Sequence, residues 1–262
     1  MIVEQIWTGN AYRNFNYLIA CPETGEALAI DPLDHIKCLA IAKNHGWQIT
    51  QILNTHEHED HTGGNQKLIA QTRAKLLAHS NAKNKITGID QGLNAGDKVT
   101  VGRTVELEVL DTPGHTLSHI CLYAHTDIPA LFCGDTLFNA GAGNCHNGGN
   151  PSVLYHTFIN QLAKLPDNTQ IYPGHEYIVN NLNFTLHYET DNKQAVSLLH
   201  KVQHQNPSSP FVSTLGLEKE INTFFRLHSS SIINSLQIIF PDLADINPEI
   251  IFLKLRELRN TW

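Results

Sequence analysis

The chain of 262 residues has no run approaching the roughly 18 consecutive apolar residues of a membrane-spanning helix. Its amino terminus, MIVEQIWTGN, lacks the basic stretch, apolar stretch and small-residue cleavage site of a secretory signal. An excess of positive charge is missing as well. The formal charge of −7 argues against a general binder of nucleic acid or of membranes and points to small-molecule partners. Cysteine is sparse and badly arranged for cross-linking: the five, at 21, 38, 121, 133 and 145, are odd in number and form no Cys-x-x-Cys pair. Neither a disulfide framework nor a structural zinc knuckle is expected. Cys121 and Cys133 lie in apolar, strand-like runs and read as small buried hydrophobes, whereas the glycine-rich surroundings of Cys145 leave other roles open. What these absences leave is a soluble, cytoplasmic protein, expected as a monomer, long enough for one large or two modest domains.

Histidine, by contrast, is concentrated. Residues 55–64 read THEHEDHTGG, with four metal-capable side chains, His56, His58, Asp60 and His61, inside six residues. A β-branched, apolar run at 49–53 precedes them and reads as a buried strand; residues 66–71 read as a helix beginning just after Gly63 and Gly64. His56 and His58, two apart, point to the same side of an extended segment, and a tight turn at Asp60 and His61 can aim those two at a neighbouring position. One loop can thus feed two metals. The bland alternative is a solvated polar turn in a chain with 16 histidines.

Further along, the same device occurs twice. His115 follows Pro113-Gly114 at the exit of the strand-like VELEVL, and His175 follows Pro173-Gly174 at the exit of a short strand at 169–172. Alone, His115 reads equally as a surface histidine; the recurrence lifts both above chance. Asp135 closes the strand-like ALFCG, as a ligand or an ordinary Gly-Asp turn. Asp31, before Pro32, reads as a turn residue or as a neighbour of a metal centre.

The remaining pattern is a meander of three strands in residues 2–31, a helix over 34–45 ended by Gly46, and further strands through 134. A flexible Gly- and Asn-rich loop follows at 139–150, then a helix over 151–165. Past 176 the pattern is helical only: a long stretch through 205, then candidates at 217–225, 230–240 and from Pro248 to the end. A domain boundary near 175 follows.

Three His and an Asp in one loop, with His115, Asp135 and His175, make seven N and O donors and no thiolate. That is too many for one tetrahedral zinc and suits two metal ions. A carboxylate bridging two ions about 3.5–4 Å apart, with a shared water whose pKa falls towards about 7, implies hydrolysis by a bridging hydroxide.

THEHEDHTGG, DTPGHT, FCGDT and YPGHEY, in this order, resemble the metallo-β-lactamase superfamily, and the helical tail with Ser213-Thr214-Leu215-Gly216 and Phe225-Arg226 is similar to its glyoxalase II branch, the hydroxyacylglutathione hydrolases. The resemblance implies an α/β fold: an αββα metallo-β-lactamase sandwich over residues 1–175 that carries the metals, then a smaller all-helical domain over 176–262 that binds glutathione. It implies one divalent metal held by His56, His58 and His115, a second by Asp60, His61 and His175, and Asp135 as the bridge. Zinc is the first expectation, with iron or manganese as alternatives. The implied reaction is hydrolysis of S-D-lactoylglutathione to D-lactate and glutathione, with Asp60 and Asp135 orienting the nucleophile.

For the substrate, the resemblance implies Tyr177, Arg256 and Arg259. The two arginines, three apart, share one helix face and suit the glycine carboxylate of glutathione; solvated charges at a helix end are the alternative. One departure stands out: Asn144-Cys145-His146 replaces the basic and aromatic residues usual in that loop, leaving His146 as the local candidate contact. Ser118 also stands where the family usually has glycine, expected to be a packing variation. A persulfide dioxygenase or a lactonase of the same superfamily is the rival reading, and residues 176–262 argue against both.

Overall fold

The computed structural model describes residues 1–243 and 246–262. Its contacts divide the chain into two compact units, Met1–Thr112 with Ser118–Gly134 and Tyr172–Glu176, and Pro113–Leu117 with Asp135–Ile171 and Tyr177–Trp262.

In the first unit the expected meander is present: β1 (Ile2–Trp7), β2 (Phe15–Ala20) and β3 (Glu26–Ile30) pair antiparallel. β4 (Gln48–Leu53), β5 (Lys75–His79) and β6 (Gln91–Leu93) then add in parallel, giving a six-stranded sheet in sequence order. Parallel pairing needs crossover segments. α1 (His35–His45) is one, capped by the Asp34 side chain accepting from the Lys37 N–H and ended by Gly46 at φ 70°. α2 (Glu59–Thr62) and α3 (Asn65–Thr72) lie in the second, and residues 80–90 make the third. Cys38 and Ala42 of α1 and Leu68 of α3 are buried with Leu18, Ala29, Ile52 and Leu76 of the sheet, so this face is dry. The polar ends of β3 and β4 are left to hold the site. β7 (Lys98–Val101), β8 (Val105–Asp111), β9 (Ile120–Ala124) and β10 (Ala130–Gly134) form a second antiparallel run.

The second unit begins its regular structure with a two-residue hairpin, β11 (Leu137–Phe138) and β12 (Gly141–Ala142). Here the structure corrects the first part of the loop expected at 139–150: Asn139, Ala140 and Ala142 are buried, while 144–150 are exposed or half-buried without regular structure. Ala140 sits at φ 56°, a left-handed conformation costly for alanine, and its N–H donates to the Glu218 carboxylate at 2.7 Å. α4 (Pro151–Asn160) follows, its first amides taken by the Asn150 side chain. β13 (Gln170–Pro173) starts in this unit, and Gln170 and Ile171 pair with β14 (Ser213–Thr214), a strand inside the region expected to be helical only.

The helical stretch expected through 205 is two helices, α5 (Ile178–Tyr188) and α6 (Lys193–Val202). The break has a polar cause. Asn192 caps α6 by accepting from the Ala195 N–H, and the buried Glu189 carboxylate accepts from Arg226, Ser229 and Asn192, a network a continuous helix would not place together. α7 (Leu215–Ile221), α8 (Ser230–Ile239) and α9 (Pro248–Arg259) complete it. Leu182, Ala195, Leu198, Val202 and Ile221 form its apolar centre.

Candidate active site

The THEHEDHTGG loop leaves β4 in extended form and then turns through the four residues of α2. Gly64 is required there because a Cβ would overlap the Pro32 carbonyl. The first unit brings together five of the expected ligands: His56, His58, Asp60, His61 and His175. His56, His61 and His175 are buried, at 1%, 0% and 3% exposure, and His58 is half-buried.

The hydrogen bonds of the ring nitrogens fix the tautomers. His175 Nδ1 lies 2.7 Å from the Tyr12 carbonyl, an acceptor only, so Nδ1 carries the proton. His61 Nδ1 lies 3.1 Å from Asp31 Oδ2, again an acceptor. Thr55 Oγ1 donates to Asp31 Oδ2 at 2.7 Å and so accepts from His56 Nδ1 at 3.0 Å. In the neutral ring each Nε2 is then the acceptor nitrogen, and that of His175 also lies 3.5 Å from Asn14 Nδ2. The Nε2 atoms of His61 and His175 are 3.3 Å apart, with Asp60 Oδ2 at 3.5 and 3.4 Å from them. Two imidazole nitrogens and a carboxylate oxygen so close together are a donor set that suits a divalent cation. His56 Nε2 is 3.1 Å from His58 Nδ1.

In the second unit the pattern repeats. His115 Nδ1 lies 2.6 Å from the Asn144 carbonyl, and Nε2 is 3.6 Å from Asp135 Oδ2. Gly143 makes the close approach: a Cβ there would overlap the Asp135 carbonyl.

The expected substrate residues also meet. Tyr177, Arg256, Arg259 and His146, with Phe138, Asn180 and Trp262, line one cleft of about 310 Å³. The two arginines differ. Arg256 is 3% exposed, and its Nη1 donates to the carbonyls of Ala142 and Gly143 at 2.6 and 3.0 Å, its Nε to Asn260. Burial, then the neighbouring Arg259, brings its pKa down to about 10. Much of this guanidinium is thus committed to holding the hairpin backbone. Among the described residues Arg259 donates to Asn181 Oδ1, at 3.0 and 3.3 Å, and burial also lowers its pKa. Cys145, beside the cleft, has its thiol pushed up to about 11 by burial, so it is a poor nucleophile.

Three supporting groups escaped the sequence reading or were read differently. Asp31, at φ 49°, is no mere turn residue: besides His61 and the Thr55 hydroxyl it accepts from the Thr55 N–H at 2.8 Å. Ser118 does more than vary the packing, since its hydroxyl donates at 2.9 Å to Glu57, the residue between His56 and His58, which also pairs with Lys85 at 2.5 Å. Asn14 donates to Asp60. Only the Asp31-Pro32 dipeptide carried any local signal, because the other contacts join residues 28 or more apart in sequence.

Comparison with known proteins accords with this geometry. Residues 17–175 match the family described as the metallo-beta-lactamase superfamily, and 176–262 the one described as the hydroxyacylglutathione hydrolase C-terminus. Hydroxyacylglutathione hydrolases of Nitrosococcus oceani and of a Polaromonas species are 69% and 65% identical, each alignment covering 100% of both chains. Among solved structures, ETHE1 from Myxococcus xanthus superposes with a TM-score of 0.69 at 26% identity, covering 100% of this chain and 99% of that one. The chain belongs to the hydroxyacylglutathione hydrolases, the glyoxalase II branch of the metallo-beta-lactamase superfamily.

Proposed function

We propose that this protein hydrolyses the thioester of S-D-lactoylglutathione, yielding D-lactate and glutathione. The observation that carries the reading is the convergence of the Nε2 atoms of His61 and His175 on Asp60 Oδ2, each ring held by a hydrogen bond at its far nitrogen. In this reading His56, His58 and His115 would hold one divalent ion and Asp60, His61 and His175 a second, and Asp135 would serve as the ligand common to both. The donor set is N and O throughout, which suits zinc and equally admits iron or manganese. Bound there, the ions supply Lewis acidity and bring the pKa of a water towards about 7.

The chain's own groups do the rest. Asp60 and Asp135 orient the attacking water towards the thioester carbon. The Nδ1–H groups of His61, His115 and His175 donate to backbone or carboxylate oxygens, which holds each ring in its orientation. The leaving thiolate has an ordinary pKa near about 8.5 and departs with little help from a general acid. In the cleft of the second unit, Arg259 supplies positive charge for the glycine carboxylate of glutathione, with Tyr177 and His146 as further contacts and Arg256 keeping the hairpin in place. Among the described residues no helix is long and apolar enough to cross a membrane. Monomeric behaviour and a cytoplasmic location belong to the same reading and are checked by sedimentation and fractionation.

The test is an assay of purified, metal-analysed protein on S-D-lactoylglutathione beside glutathione persulfide, with oxygen monitored. Glutathione release without oxygen uptake is expected; uptake with persulfide alone would overturn the reading. Near-full activity after Asp135→Ala would remove the shared-ligand role.

A further inference from the structure

We infer that Asn14 is a positioning residue that fixes the carboxylate of Asp60, and through it the metal position formed with His61 and His175. The inference rests on the metal-site reading above and assigns a role outside the seven donors.

Asn14 is fully buried, yet it lies in the loop between β1 and β2, far in sequence from the histidine-rich run. Its Nδ2 donates to Asp60 Oδ2 at 3.0 Å and to the Asp60 carbonyl at 3.1 Å. It thereby brackets the side chain and the backbone of one residue. Asp60 needs such a bracket. α2 is a single turn and fixes no rotamer, and nearly a quarter of the Asp60 side chain faces solvent, which competes for the carboxylate.

The direction in which the Asn14 amide points is itself determined. The Asn14 N–H donates to Asn10 Oδ1 at 3.0 Å. Asn10 must therefore present its Nδ2 to Asn14 Oδ1, at 2.7 Å. With its oxygen occupied, Asn14 can only turn its own NH2 towards Asp60. The loop that carries this relay is anchored on the His175 side: Asn14 and His175 form a β-bridge, the Phe15 N–H donates to the Gly174 carbonyl at 2.8 Å, and the Arg13 guanidinium pairs with Glu176. His175 and Asp60 are thus referred to the same short segment.

A neutral donor suits this place. It takes one lone pair of Asp60 Oδ2 without adding charge, leaving the other directed at the imidazole nitrogens, and it holds no proton to lose as pH changes. Outer partners of metal-binding carboxylates are worth roughly 10–100-fold in metal affinity.

The experiment is a chelator-competition titration with zinc on wild type, Asn14→Ala and Asn10→Ala, combined with steady-state kinetics on S-D-lactoylglutathione. Wild type is expected to bind two zinc ions. Asn14→Ala should weaken one class about 10–100-fold, leaving the other within about threefold. Its kcat should fall at limiting zinc and recover at excess zinc, with KM within about twofold, a split that a general loss of structure does not produce. Asn10→Ala keeps Asn14 but frees its amide to turn over; it should weaken the same class by about threefold to tenfold, the worth of one neutral hydrogen bond. It also serves if Asn14→Ala does not fold. Zinc affinities unchanged in both variants, or lowered equally in both classes, would overturn the role of Asn14. Wild-type protein that binds no zinc, iron or manganese would instead overturn the site reading, and this inference with it.

Discussion

The carboxyl of Glu218 offers a quantitative test of how the second unit holds its cleft. It is fully buried, and it accepts from the Ala140 N–H at 2.7 Å, the Ser213 hydroxyl at 2.7 Å, Asn222 Nδ2 at 3.1 Å and, at 3.5 Å, Asn139 Nδ2. All four partners are donors, and two of them belong to the turn between β11 and β12, whose Phe138 and Ala142 line the cleft. Glu218→Ala leaves the Ala140 amide and one Asn222 proton buried without an acceptor, at about 1–3 kcal/mol each. A destabilisation of about 2–6 kcal/mol follows, less what is regained by no longer burying a carboxylate. Glu218→Gln behaves differently. Its oxygen can serve Ala140 and Asn222 while its NH2 donates to the Ser213 hydroxyl, which rotates, so the cost should stay within about 1 kcal/mol.

A pH dependence distinguishes the two effects. Burial pushes the Glu218 carboxyl above its ordinary 4.5, against the lowering by its hydrogen-bond donors. As pH rises from that value the unfolded chain releases the proton first, so the folded state holds more protons and this group's contribution to stability falls. Below 4.5 the contribution is fully present; it is lost as pH passes the raised folded value. Urea denaturation of wild type and Glu218→Gln between about pH 4 and pH 8 should show the glutamine variant gaining on wild type as pH rises, with equal m-values. Equal destabilisation by Ala and Gln, or a difference independent of pH, would refute the reasoning.

Arg259→Ala should raise KM for S-D-lactoylglutathione about tenfold or more at near-constant kcat, the worth of a charge-assisted hydrogen bond, as measured by steady-state kinetics. Arg256→Ala should instead lower the melting temperature as well as binding, because the Ala142 and Gly143 carbonyls lose their buried donor. Asp31→Ala leaves donors from Thr55 and His61 without their acceptor; metal affinity should fall about 10–100-fold by competition titration. Removal of metal by chelator should lower the melting temperature in calorimetry, since an ion held at about 100 times its Kd stabilises the fold by about 2.7 kcal/mol. An unchanged melting temperature would argue against ions bound between these side chains.

The amino-acid order by itself determined the local features whose cause lies within a few residues. The strand before THEHEDH, the turns that carry His115 and His175, the capped α1 and the apolar Cys121 and Cys133 were all legible, because spacing and turn chemistry act over a single element. Only tertiary structure decided what joins distant segments. The Asn14–Asp60 and Asp31–His61 contacts, the Glu57–Ser118–Lys85 group and the buried turn at Glu218 depend on pairings that no local pattern announces. The break between α5 and α6 arose likewise, since helical spacing continues through it and the stop comes from a buried carboxylate meeting Arg226 across 37 residues. Side chains that coordinate recur in recognisable spacings because geometry at the ion demands them; those that orient them need only arrive at the right distance, and the fold delivers them from anywhere in the chain.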